Sequence, residues 1–411
     1  MPRFRRGLWP LSLAAAYAVT AAVWLAVAGG EPSGRWVAIH LVTLGVLTNL
    51  VAGLMPIFAA TFLHTADTNG WVYAAHLVMR NLAVVLALIG LPRDMPALVG
   101  IGAALLVVDV LVLYIELRQL RRRALPNRFT YVVRTYERAC AAFLHGSVLA
   151  GLLGSGAITG AWYGSGRVAH LQLMLLGWGG LTLLATLVPF GPAMMRVPIA
   201  EGADAVASRA LRRANLALTV ASSAMLLTAL DGWPHIVARA VATLGLAGYF
   251  LAALQVIRPV IRAGRRRVLG GVVANITALG GWFLLGVYLL ALSAETRWAG
   301  VLDAAELALG VGGLFQAMLA TVAYLLPSLL GTDAADRTRR HDAAAVLGRT
   351  RPLAFNVGLG LLVASALSHH SFGAASSAQV NAGWVLVAGA SVTTVLLAIL
   401  GRTPSRRGRE P

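Results

Sequence analysis

From Trp36 to Phe62 the chain reads WVAIHLVTLGVLTNLVAGLMPIFAATF, with no acidic or basic side chain other than His40. A helix needs about 20 apolar residues to cross the hydrocarbon of a bilayer. A longer run, apolar on every face, has no stable place at a water interface. Two later stretches repeat its plan. AHLQLMLLGWGGLTLLATLVPFGP opens on His170, carries Gly177, and closes on Pro189 and Pro192. LDAAELALGVGGLFQAMLATVAYLLP has Asp303 and Glu306 at its head and Pro327 at its foot. Pro56, Pro189 and Pro327 lie roughly 135 residues apart, far too long a period for a solenoid repeat and suited to a pseudo-symmetric membrane bundle.

Composition agrees, since 58% of the residues are hydrophobic and only 12% are charged. The expected fold class is all-α: a polytopic membrane bundle of 12 transmembrane helices in a pseudo-threefold arrangement of four-helix blocks. The chain is expected to form a single integral membrane domain over 1–411. The spans fall at about 8–29, 36–62, 72–91, 97–117, 138–159, 170–190, 214–229, 236–257, 268–292, 301–330, 353–367 and 383–400. The first ends in AVA, the small-residue pattern of a signal-peptidase site, but its apolar run exceeds the roughly 7–15 residues of a signal h-region, so a retained helix is expected. No loop is long enough for a second domain.

Orientation follows from arginine, because basic residues gather on the cytoplasmic side of short loops. The chain has no Lys, and under this threading about 28 of its 34 Arg lie on the side of the N-terminus, in RQLRRR, RAGRRR, RTRRH and SRRGRE among others. Both termini are therefore expected in the cytoplasm. The net charge of +18 is then a consequence of topology, with anionic lipids at the cytoplasmic face as its natural partners and no nucleic acid. The single cysteine, Cys140, excludes an intramolecular disulfide and a thiolate cluster and is expected near the inner face.

Polar side chains inside a bilayer are costly unless they face the bundle interior and find partners. His40, His170, His235, His369 and His370 fall at outer helix ends, His64 and His76 at the inner ends of spans two and three, and His145 about two turns inside span five. Each of these histidines alone reads as an interfacial anchor or as a ligand. His40 and His170 go further: they are expected at matching positions in two repeats, with Gly177 below His170 leaving a gap of the kind a flat macrocycle needs. Thr43, one turn from His40, is expected to orient it. Asp109 and Glu306 read either as pathway residues or as ion-paired or protonated packing residues.

Twelve spans with both ends inside, and equivalent inward-running spans two, six and ten, resemble subunit I of the haem–copper oxidases and the oxidase-like membrane proteins linked to nitric oxide response (NnrS-like). His40 with Met55-Pro56 is similar to the oxidase second span, and His170-Leu171, Gly177 and Pro189 are similar to the frame of the sixth. HLVTLGVLTNLVAGLMPIFAATFLHT resembles a helix of the nitric-oxide-response proteins. The membrane half of copper oxidase or nitrite reductase-like fusions is also similar, although no cupredoxin domain is present. The departures are Trp178 at a copper-ligand position, a seventh span without paired histidines, and a tenth offering Glu306 and Gln316 in place of haem ligands. The resemblance implies a multi-pass protein of the bacterial cytoplasmic membrane, with haem or copper held by His40 and His170 and with His235, His369 and His370 as further candidate metal ligands. It implies redox or nitrogen-oxide-linked metabolism, a cupredoxin or other redox partner, and no true oxygen reduction. The alternative is a metal-free transporter or structural subunit in which Asp109, His145 and Glu306 line a pathway. Whether the protein is an enzyme stays open at this point.

Overall fold

A computed structural model describes residues 6–28, 33–66, 69–264, 271–296, 299–368 and 377–400, and the described residues contain helices and connections but no strand. In order these are α1 (Leu8–Ala28), α2 (Gly34–His40), π1 (Leu41–Thr48), α3 (Asn49–Leu63), α4 (Gly70–Gly90), α5 (Pro96–Arg123) and α6 (Thr130–Gly154). There follow α7 (Gly160–Gln172), π2 (Leu173–Gly180), α8 (Leu181–Met195), α9 (Ala203–Leu227), α10 (Trp233–Gly264) and α11 (Gly271–Glu295). The last are α12 (Ala299–Glu306), π3 (Leu307–Phe315), α13 (Gln316–Leu330), α14 (Ala334–Ala345), α15 (Thr350–Ser368) and α16 (Ser377–Leu400). Each π segment continues the helices on either side of it, making three long rods, α2–π1–α3, α7–π2–α8 and α12–π3–α13.

Among the described residues, 10 helices are long and apolar enough to cross a membrane, the three rods among them. This is a helical, multi-pass membrane protein. α1 shows why: only Pro10, Ala14 and Ala21 of its side chains are fully buried, so most of its apolar surface faces outward, where lipid and not water is the matching solvent. Spans five and seven, expected to begin at Arg138 and Ala214, belong to helices that begin earlier, at Thr130 and Ala203. Arginine is a good helix former, so charge marks the edge of the apolar stretch without ending the helix. α14 is charged and short. Its Asp333 caps the N-terminus by accepting from the Asp336 backbone at 2.8 Å. The Arg340 guanidinium holds the Asp336 carboxyl below the usual carboxylate range.

The chain divides into two compact units, one of Met1–Thr186 with Gly202–Val256 and the other of Leu187–Glu201 with Ile257–Pro411. Within the first, α5 packs along both α4 and α6. The α4 contact is tight at Gly102, where a Cβ would stand 2.8 Å from the Ala83 carbonyl oxygen and 3.1 Å from the Ala87 nitrogen, backbone atoms that cannot swing aside. Gly100, two residues away, faces open space. Gly102→Ala is therefore expected to destabilise the unit by about 1–3 kcal/mol through overpacking, whereas Gly100→Ala should stabilise it by about 0.5–1 kcal/mol by removing a flexible residue from a helix interior. Thermal unfolding in one detergent compares the two directly.

Candidate metal site and buried charge network

A π turn closes i→i+5 hydrogen bonds, so it inserts a residue into the helix, shifts the faces beyond it, and loosens the carbonyl ladder. In π1 the Thr48 hydroxyl donates to the Thr43 carbonyl at 2.9 Å, and the Asn49 amide donates to the Gly45 carbonyl at 2.8 Å. In π2 the Tyr249 hydroxyl donates to the Leu176 carbonyl at 2.8 Å. Side-chain donors thus take up carbonyls inside both widened turns. The segments begin at Leu41, Leu173 and Leu307, nearly even intervals that follow the three-block spacing of the prolines. The residue immediately before each is His40, Gln172 and Glu306. His170 therefore stands two residues ahead of the place His40 holds, and the expected positional match between the two histidines is corrected. The π turn marks the common register, not the first residue of the apolar run.

His40, at the end of α2, and His170, near the end of α7, both belong to the first unit. His40 Nδ1 lies 2.9 Å from the Trp36 carbonyl oxygen. The Trp36 ring stacks on the imidazole with centroids 4.0 Å apart. His170, at the end of α7, places Nδ1 2.9 Å from the Gly146 carbonyl oxygen on α6. A carbonyl only accepts, so each Nδ1 carries the proton and each Nε2 keeps its lone pair. That is the tautomer a metal-binding imidazole uses, with the outer hydrogen bond fixing the ring.

Two supports expected around this pair are different in the structure. Thr43 donates to the Ile39 carbonyl at 2.9 Å, an i−4 back-bond within its own helix, so Trp36 and not Thr43 orients His40. Gly177 leaves no gap: a Cβ there would collide with Ala142 and stand 3.1 Å from Leu218, so the missing side chain serves close helix approach. The residues fit a compact metal ion better than a macrocycle lodged against Gly177. Gln172, just beyond His170, is fully buried with neither amide atom hydrogen-bonded. Trp178 is fully buried against Phe143, with ring centroids 4.8 Å apart.

The remaining candidates do not gather. His235 places Nδ1 2.7 Å from the Thr228 carbonyl oxygen at the end of α9. His369 and His370 lie outside the described residues. His145 is exposed, its Nδ1 2.7 Å from the Ala141 carbonyl of its own helix, so its side chain does not line an interior pathway. Glu306 is half-buried at the head of π3 in the second unit. No group of three or more His, Cys, Asp or Glu set to hold a metal occurs among the described residues. Cys140 is completely buried.

A second cluster was only partly legible. On α4, His76 and Arg80 are one turn apart, and on α5, Asp109 and Glu116 are two turns apart, so each pair shares a helix face. Asp109 is fully buried and accepts from His76 Nδ1 at 2.7 Å and from Arg80 Nε at 2.9 Å. This gives Asp109 its ion-paired role. Glu116 Oε2 lies 3.7 Å from His76 Nε2, too far for a hydrogen bond. Arg80 and Glu116 were not among the expected site residues, although the helical spacing of charges in adjacent apolar spans is the signal that reveals them. Searches of protein-family models and of curated proteins return no match to this chain.

Proposed function

We propose that this is a twelve-crossing membrane protein with both termini in the cytoplasm, similar in plan to haem–copper oxidase subunit I, that holds copper or haem at His40 and His170 and serves redox or nitrogen-oxide-linked metabolism. The observation that carries the reading is the pair of imidazoles from two rods of like construction, each with Nδ1 tied to a carbonyl and Nε2 free. For the crossings, α6 and α9, each 25 residues long, complete twelve with the ten apolar helices, and the arginine asymmetry supports the orientation. The closed surface at Gly177 favours copper over haem. A bound copper supplies one-electron chemistry. The chain supplies two imidazole ligands, the Trp36 and Gly146 carbonyls that fix their tautomers, and an indole stacked over one ring. Reduction of oxygen to water is outside this reading, because Trp178 and α9 offer no imidazoles where a three-histidine copper would need them. The optical spectrum and metal content of detergent-purified protein test it. Stoichiometric copper, or a Soret band, is expected. Full-length protein from metal-replete cells with neither would refute the reading and leave a metal-free transporter or structural subunit.

A further inference from the structure

The buried cluster on α4 and α5 sets two charged partners, Arg80 and Asp109, beside two groups able to exchange a proton, His76 and Glu116. Arg80 is always charged, and Asp109, accepting from two donors, is held as the carboxylate. These two cancel. What remains is His76 and Glu116, both more than nine-tenths buried. Neutral imidazole beside ionised Glu116 would leave these four residues with one negative charge in excess, which is costly where it is buried. A single proton on either group restores neutrality. Within these four residues, His76 and Glu116 are the two groups that can hold that proton.

Geometry gives that proton a route. Glu116 lines a cavity of about 710 Å³ with His64, Thr65, Asn69, Gln119 and Arg123, at the arginine-rich end of α5. Glu116 Oε1 and His76 Nε2 have no hydrogen-bond partner, and the 3.7 Å between His76 Nε2 and Glu116 Oε2 is one small rotation from a hydrogen bond. The other ionisable groups around the pair are Tyr73 on α4, Cys140 on α6, His64 at the end of α3, and Arg6 and Arg123. Tyr73 donates to the Gly53 carbonyl at 3.0 Å, and Cys140 is fully buried on α6.

We propose that Glu116 and His76 form a proton-exchange site that opens to the cytoplasm through this cavity, with Glu116 as the outer acceptor and His76, anchored by Asp109, as the inner one. A hydronium in the cavity gives its proton to a Glu116 carboxylate oxygen and leaves as water. The new O–H bond then breaks as the proton passes to His76 Nε2, forming the imidazolium, and release retraces these steps. The site needs no metal, so it stands or falls apart from the reading at His40 and His170.

Infrared spectroscopy of the full-length protein tests it. The native protein should show a protonated-carboxyl stretching band that titrates with pH and shifts in heavy water. Glu116→Gln should abolish the band, and His76→Gln should move its titration, while Glu137→Gln, on the separate ion pair with Arg121, should leave it alone. Filling the cavity with Gln119→Trp should keep the band but slow its isotope exchange several-fold. No titrating band in the native protein, or the same band in Glu116→Gln, overturns the site. Unchanged exchange in Gln119→Trp overturns the cavity as its route. The same spectra from His40→Ala protein should match the native ones.

Discussion

His40→Ala and His170→Ala proteins are expected to emerge from purification depleted of metal, while His64→Ala should retain the parent's content. Loss of an outer hydrogen-bond partner alone weakens metal binding about 10–100-fold, so loss of the ligating imidazole should cost at least that. His64 is the right comparison because it caps α3 in a left-handed conformation and lines the cavity beside α5, away from the Trp36 and Gly146 carbonyls. Replacing a mere anchor should cost about 1 kcal/mol of stability and leave any chromophore untouched. Equal metal in all three variants, measured by elemental analysis at matched expression, would remove the ligand role.

Asp109→Ala should be the most destabilising single change in the first unit. It strands the fully buried Arg80 and removes the acceptor of His76, and breaking a buried pair from one side costs about 3–5 kcal/mol. The double replacement Arg80→Met with Asp109→Leu should recover much of that loss, because apolar groups of similar volume carry no uncompensated charge. Thermal unfolding in a single detergent compares the single and double variants. A double variant no better than Asp109→Ala would mean that the aspartate's role is not charge compensation.

The class of the fold was legible because it rests on the cheapest signal, a hydrocarbon-length run with every face apolar, as in α1 and α2–π1–α3. His40 and His170 stand out in the sequence as lone imidazoles at the heads of such runs, but their surroundings were not legible. The π turns leave no mark in the sequence, because the shift of faces they introduce cannot be seen in runs that are apolar all round. Glycines such as Gly177 read equally as a gap or as a contact, and only the position of Ala142 on α6 decides. Thr43 is one turn from His40 in sequence, yet its hydroxyl turns back to its own helix. The network on α4 and α5 was within reach: His76 with Arg80 and Asp109 with Glu116 both recur at helical intervals.

The most direct test of the account is X-ray absorption at the metal edge of the native protein and of the two histidine variants. Two imidazoles sharing one copper predict outer-shell scattering from two rings in the native protein, falling to one or none in both His40→Ala and His170→Ala. Ring scattering that survives undiminished in either variant, or metal held only by oxygen and sulfur, would contradict it.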